Sequence, residues 1–400
     1  MNKKIIIPAV LLVLIVGGIA LFYFTNKKEQ AVTQQNTSTN LPIGGQGNII
    51  NTSSSTDNTP TNITTAKTSL FQISQEPVSG YTAIKTSDGF SVRYVAKKDA
   101  HIYDVFIPDL TPVVVSDDTT AGIYDSILSP DGLYILQRSI GADDETIDSS
   151  LVKVAQQTGT STTAKLTATN IGSYISDAVI SPDGKSLFYL TKETSGSKGI
   201  VRTLATGKES TVFTSPIGSW LVSWPQKNTV TITTKPSSNV VGYMYSINTQ
   251  TRVEKRVMNG NGLTTLMSPD ASAVLYSDNN SELSGLNTSN GTITDFGIKS
   301  LPEKCVWSQK DKGVAYCLAS RTVASGSYPD DWYQGDVSFS DDLYELNTVS
   351  TSSPKMALIG DFHYDYSKDI DGTNLVLSPN EDYLMFTDKN TGTGCAFKLF

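Results

Sequence analysis

The stretch VISPDGKSLFYL (179–190) sets a polar corner, Ser181-Pro182-Asp183-Gly184, between two apolar runs. The same shape returns as ILSPDGLYILQ (127–137), LMSPDASAVLYS (266–277) and LVLSPNEDYLMFT (375–387). A catalytic loop is usually present once, whereas a corner that a fold turns repeatedly is present many times. The residue types suit a tight reversal. Proline presets φ at the second turn position, aspartate bonds local backbone, and glycine accepts positive φ. Pro130, Asp131, Gly132, Pro182, Asp183, Gly184, Pro269, Asp270 and Pro379 are therefore read as structural turn residues, with Ala178-Val179-Ile180 as an inner strand and Leu187-Phe188-Tyr189 as the next strand out.

The corners are periodic. With the proline position as marker they fall at Ser87, Pro130, Pro182, Pro225, Pro269, Gln309 and Pro379, at gaps of 43, 52, 43, 44, 40 and 70 residues. Short β-rich runs lie between them, among them FSVRYVA (90–96), TVTITT (229–234) and DYLMFT (382–387), and no long stretch has helical apolar spacing. A period of 40–45 residues built of four strands is the mark of a β-propeller blade. Seven markers predict an all-β, seven-bladed propeller over 69–400. Too few residues follow Pro379 for a fourth strand, and SLFQISQEPVSG (69–80) precedes the first marker. Residues 69–74 are thus expected to supply the outer strand of the last blade and close the ring, which removes exposed edges.

The repeats resemble the TolB-type, WD-like propeller repeat, whose pattern is Trp-Ser-Pro-Asp-Gly followed by an apolar strand. The resemblance runs repeat by repeat over 69–400 and implies fold more than function. SWPQKNTV (223–230) and VWSQKDKGVAY (306–316) have lost part of the turn pattern. An apolar segment and a polar tether stand where TolB has an N-terminal domain, so the layout is closer to membrane-anchored bacterial propellers.

Residues 5–24, IIIPAVLLVLIVGGIALFYF, carry no charge. As a helix they would span ~30 Å, the hydrocarbon thickness of a bilayer. Lys3 and Lys4 precede them; Lys27, Lys28 and Glu29 follow. The positive excess predicts a single-pass anchor in the cytoplasmic membrane, residues 1–4 in the cytoplasm and the propeller outside. A cleaved signal peptide is the competing reading, since Gly18-Ile19-Ala20 resembles a cleavage site, although Leu21-Phe22-Tyr23-Phe24 prolongs the apolar run past it. Residues 25–68, rich in Ser, Thr and Asn, read as a disordered linker with a reach of roughly 35–40 Å.

Formal net charge is −8, and the four lysines before residue 29 leave −12 on 29–400. Such a surface repels phosphate, which argues against nucleic acid. The two histidines, His101 and His363, cannot build a His-rich zinc site, and no Gly-x-Ser-x-Gly, His-Glu-x-x-His or phosphate loop is present.

The gap of 70 residues contains a surplus near 319–342, ASRTVASGSYPDDWYQGDVSFSDD, expected as an insertion in blade six. Two readings stay open. In one it is a recognition loop for an envelope protein or cell-wall glycan, using Tyr328, Asp330, Asp331, Trp332, Tyr333 and Asp336, with Trp332 and Tyr333 as anchors. In the other it is a lid over its own blade, its acids solvated. A Ca²⁺ site in these acids lacks the spacing of a calcium loop, and no other cofactor is expected. Cys305 and Cys317 face each other if the hairpin centres on Asp311, so a disulfide is expected, with two buried thiols as the alternative. Cys395 is left over. The function that follows is a monomeric, non-catalytic binding scaffold in the envelope. The alternative is an envelope enzyme, a propeller-type lyase or lactonase-like hydrolase, with its site at the channel mouth.

Overall fold

The computed structural model describes residues 69–400 apart from 108, 142, 144, 156–162, 321 and 350–354. The expected anchor at 5–24 and linker at 25–68 lie outside the described residues. Among the described residues no helix is long and apolar enough to cross a membrane.

Among the described residues, twenty-seven antiparallel strands form six sheets. Five are four-stranded meanders, here sheets two to six, at 123–173, 175–215, 220–261, 264–299 and 305–360. The remaining one, the closing sheet, has seven strands and joins both ends of the described chain. Its central strand, β1 (Leu70–Thr86), serves two neighbours. Leu70, Phe71 and Gln72 pair with Phe397, Ala396 and Cys395. After an irregularity before Pro77, Val78–Thr86 pair with Ala96–Gly89. Ser74 Oγ bridges the break, accepting from Gly394 N at 2.9 Å.

The first strands of the sheets touch in chain order: β1, Ile123–Leu128, Ile175–Ile180, Trp220–Gln226 and Thr264–Met267. The 3₁₀ turn Pro302–Lys304 carries the contact on to Cys305–Trp307, then Gly372–Leu377, which returns to β1. The sheets thus surround a common axis in a propeller layout. Apolar side chains fill the spaces between neighbours. Phe188, Phe213, Trp220, Trp224 and Ile232, for example, join sheets three and four. A second strand is covered on both faces, which is why Leu187, Phe188, Tyr189 and Leu190 form an unbroken apolar run.

The predicted corners are turns with shared chemistry. Ser181 Oγ donates to Asp183 Oδ1 at 2.7 Å and accepts from Ser186 N at 2.9 Å, while Gly184 takes φ 68°. Ser129, Asp131 and Gly132 repeat this beside Pro130 (Oγ to Oδ1 2.5 Å, φ 67°), and Ser268 with Asp270 does so beside Pro269 at 2.8 Å. After Pro379, Ser378 Oγ reaches Asp382 instead, at 2.6 Å. Pro225 departs from expectation. It lies inside Trp220–Gln226, where the register breaks between Ser223 and Gln226, and the reversal falls on Lys227-Asn228. A proline has no N–H to give a ladder, so it sits where pairing is already broken.

Cys305 pairs with Cys317 in register and the two form a disulfide across 12 residues. Closing a loop of that length contributes about 3 kcal/mol in a chain-entropy account. Cys395 is a free thiol.

Candidate functional site

In a meander of four strands, the first-to-second and third-to-fourth connections share one end. The Ser-Pro-Asp corners therefore occupy one end of the axis. The insertion, which joins the second and third strands of sheet six, occupies the other. At the turn end the aspartates are held by local bonds. The Ser181 hydroxyl keeps Asp183 below the usual carboxylate range. Asp270 is lowered despite its partial burial, by Ser272, Ser268 and Lys312. These carboxylates serve the turns that contain them.

At the insertion end, Asp330–Gln334 forms a single helical turn, α1, ended by Gly335 at φ 84°. So short a helix leaves no periodic pattern to read. α1 touches three different sheets. Asp330 Oδ2 accepts from Ser238 N at 2.6 Å and Ser237 Oγ at 3.3 Å, in the second-to-third connection of sheet four. These bonds lower its pKa. The Tyr333 hydroxyl donates to Glu303, ahead of the first strand of sheet six. Trp332 Nε1 donates to Asp371 Oδ2 at 2.9 Å, ahead of the last first strand of the ring. The Trp332 carbonyl accepts from Lys389 Nζ, which also stands 4.2 Å above the indole.

Two expectations change here. Trp332 is 5% exposed and Tyr328 4%, packed with Phe339 and Leu301. These rings are not available to a partner, because they form the core that folds the insertion down. Tyr333 is 36% exposed and keeps an outward face. The acids do not converge as calcium ligands. Asp330 serves sheet four, Asp331 Oδ2 accepts from Ser327 N at 2.7 Å, and Asp336 is exposed. Nor is every acid solvated: Asp341 is 1% exposed.

Asp341 belongs to a group that local pattern did not reveal. Lys304 Nζ, wholly buried, pairs with Asp341 Oδ2 at 2.7 Å and with Asp371 Oδ1. It lies 4.9 Å from the Phe339 ring centre and 5.4 Å from that of Trp332. Asp371 Oδ2 also accepts from Ser338 Oγ at 3.1 Å and Phe339 N at 3.3 Å. Asp341 Oδ2 accepts from Gly372 N at 2.8 Å, while its buried Oδ1 has no hydrogen-bond partner among the described residues. Burial pushes the Asp341 carboxyl up to about 6 against the pull of Lys304. The only sequence signal was a lysine beside a cysteine at the edge of an apolar strand. Its partners are far along the chain.

Nearer the axis, Asp177 Oδ2 accepts from Val222 N at 2.9 Å and Oδ1 from Ala178 N at 2.9 Å, tying the first strands of sheets three and four. Burial raises its pKa to about 6, opposed by those N–H groups and by Arg138. Arg138 is itself paired with Asp125 at 2.8 Å. A carboxyl raised in the fold binds more protons folded than unfolded between pH about 4 and about 6. Its cost is absent below that window and complete above it. Asp177→Asn is therefore expected to remove about 2–3 kcal/mol of stability loss as pH rises from about 4 to about 7. Urea unfolding at both ends of the range measures this. A pH profile parallel to the wild type would mean that Asp177 is solvated.

His101 pairs with Asp99 at 3.5 Å and His363 with Asp369 at 3.2 Å, neither in this group. Among the described residues no three His, Cys, Asp or Glu side chains are placed to hold a metal ion. Two clefts of about 530 Å³ lie between neighbouring sheets, one lined by Gln226, Lys255, Arg256 and Asn287, the other by Arg93, Asp104 and Asp131.

No protein-family model and no curated protein matches the sequence. Solved structures do match the fold. An oligogalacturonate lyase in complex with manganese aligns over 83% of this chain and 93% of its own, at TM-score 0.51 and 11% identity. The WD40 repeats of RRP9 align over 84% and 98%, at TM-score 0.51 and 10% identity. At such identities the likeness is one of architecture: the chain folds as a WD-like β-propeller.

Proposed function

We propose that this chain is a seven-bladed propeller tethered outside the cytoplasmic membrane, and that it is a non-catalytic scaffold for an envelope protein or cell-wall glycan. The count of seven takes the closing sheet as two blades that share β1. Ile73, Val92, Tyr94, Met385 and Ala396 support it, since one core cluster draws on both halves of that sheet. The tether rests on the uncharged run 5–24 and the polar stretch after it.

One observation carries the binding reading. Connections at the insertion end hold large apolar side chains out to solvent: Tyr364 (81% exposed), Tyr174 (58%), Val240 (57%), Ile140 and Ile217, beside Tyr333. An apolar rim around a braced insertion suits a partner that supplies its own apolar or sugar-ring surface. A second reading has its own support. Asp177, a carboxyl raised toward neutrality beside Arg138 near the axis, is the kind of group an acid–base enzyme uses. The lyase likeness gives that reading a substrate class to try.

The test compares the full chain with a Tyr364→Ser, Tyr174→Ser, Val240→Ser variant for retention of purified cell-wall glycan and for zero-length cross-linking in intact envelopes. Saturable retention or a discrete cross-link, lost in the variant, supports the scaffold. Identical behaviour of both proteins removes this rim from the site. Release of an unsaturated product from oligogalacturonate, with or without manganese, would replace the scaffold by the enzyme.

A further inference from the structure

Lys304 is a primary amine held fully buried between two carboxylates and against two aromatic rings. An ammonium flanked by two ionised carboxylates would leave an unpaired negative charge out of reach of bulk solvent, which is strongly unfavourable. One carboxyl held as the neutral acid removes that charge, and Asp341 is the one that burial raises. The two carboxylates are also unlike each other in their donors. Asp371 receives the Trp332 indole N–H, the Ser338 hydroxyl and the Phe339 amide at one oxygen. That set would hold a developing oxyanion. Asp341 receives one backbone amide at Oδ2, and its buried Oδ1 has no hydrogen-bond partner among the described residues. It has room to take and return a proton.

We propose that Lys304 and Asp371 condense into an intramolecular amide, with Asp341 as the proton relay. The ammonium proton passes to the Asp371 carboxylate, which leaves a free amine facing a carboxylic acid. The Nζ lone pair then attacks Asp371 Cγ and forms the N–C bond, and negative charge collects on Oδ2 among its three donors. Asp341, as the neutral acid, delivers its proton to Oδ1 and takes one back from Nζ. The Cγ–Oδ1 bond breaks, Oδ1 leaves as water, and Asp341 ends as it began. Amine plus carboxylic acid become amide plus water, with no oxidant or co-reactant. Fixing both partners in place supplies the entropy that the reaction lacks in solution, where effective molarities of ~10⁵–10⁸ M separate the two situations. The product is neutral, so a buried ion pair is replaced by an uncharged link. The bond would span 67 residues and join the start of sheet six to the start of the ring's last first strand, one residue from the Cys305–Cys317 bridge.

Peptide mass spectrometry on the full chain decides the matter. After reduction, alkylation and trypsin, the cross-link predicts a branched species of residues 300–310 and 369–389. It should be one water lighter than its parts, uncut after Lys304, with fragment ions that place the branch on Asp371. A Lys304 that trypsin cuts freely, in folded protein incubated from mildly acidic to neutral pH, would overturn the proposal. A branch to Asp341 would overturn the assignment of the acyl partner. Asp341→Asn is expected to yield linear peptides while keeping the wild-type far-ultraviolet spectrum, and a branched peptide at wild-type abundance there would dismiss Asp341 as the relay.

Discussion

Lys304→Met is expected to destabilise the propeller by about 3–5 kcal/mol, the loss typical of a buried charge group stripped of its partner. Methionine keeps the length and bulk of the side chain, so the effect is not that of a cavity. It arises because Asp371 would keep its buried position with a carboxylate that is neither paired with the Lys304 ammonium nor neutralised as its amide. The insertion should fail with it. Trp332 and Ser338 fix it to Asp371, and Lys389 grips the Trp332 carbonyl. Urea unfolding should show a lower midpoint, and limited proteolysis should cut within 319–342 before global unfolding begins. Replacing Asp341 and Asp371 by leucine in the same variant should return part of the loss, because apolar groups of similar volume often substitute for a buried ionic group at little cost. A Lys304→Met loss below about 1 kcal/mol would show that water reaches the group, as it does in surface ion pairs.

The other large effect concerns the clasp. Deleting residues 69–77 from the folded domain is expected to open the ring. Thr393–Lys398 would lose its partner strand, and its backbone N–H and C=O groups would face solvent. Ile73, 5% exposed, would no longer cover Met385 and Ala396. Each fully buried apolar side chain is worth about 1.5–3 kcal/mol, so Ile73 together with its half-buried neighbours Leu70 and Phe71 accounts for several kcal/mol. An open edge also templates association. Size-exclusion chromatography should show the truncated protein moving from monomer to aggregate, and a synthetic peptide of residues 69–77 should reverse the shift. A truncated protein that stays monomeric with an unchanged unfolding midpoint would mean that β1 contributes little to closure.

What could be read from sequence was what local chemistry determines. A Ser-Pro-Asp-Gly corner works through bonds spanning two to five residues, so its meaning survives without the rest of the fold. The Cys305–Cys317 bridge followed from counting register across one hairpin. Legibility ended where partners come from separate segments. Lys304, Asp341 and Asp371 lie in three, and only the ring assembles them. Trp332 looked like an anchor because aromatic residues in long loops often bind. Its direction depends on Phe339 and Leu301, which no periodicity links to it. The degenerate corner at Ser308 is explained the same way. Glu381, from the closing sheet, accepts from Ser308 Oγ at 2.5 Å and Gln309 N at 2.7 Å, and so replaces the aspartate that this corner lacks.

The pairing of Leu70–Gln72 with Cys395–Phe397, extended by Lys398 N to Ser69 O at 2.7 Å, also determines how the domain answers to load. A pull arriving through residue 69 meets this short ladder before it meets anything else. The five meanders lie behind it in the line of force. Strain would therefore peel the first few residues away while the other sheets kept their packing, and relaxation would let the same segment zip back, a give that absorbs stretch without unravelling the whole.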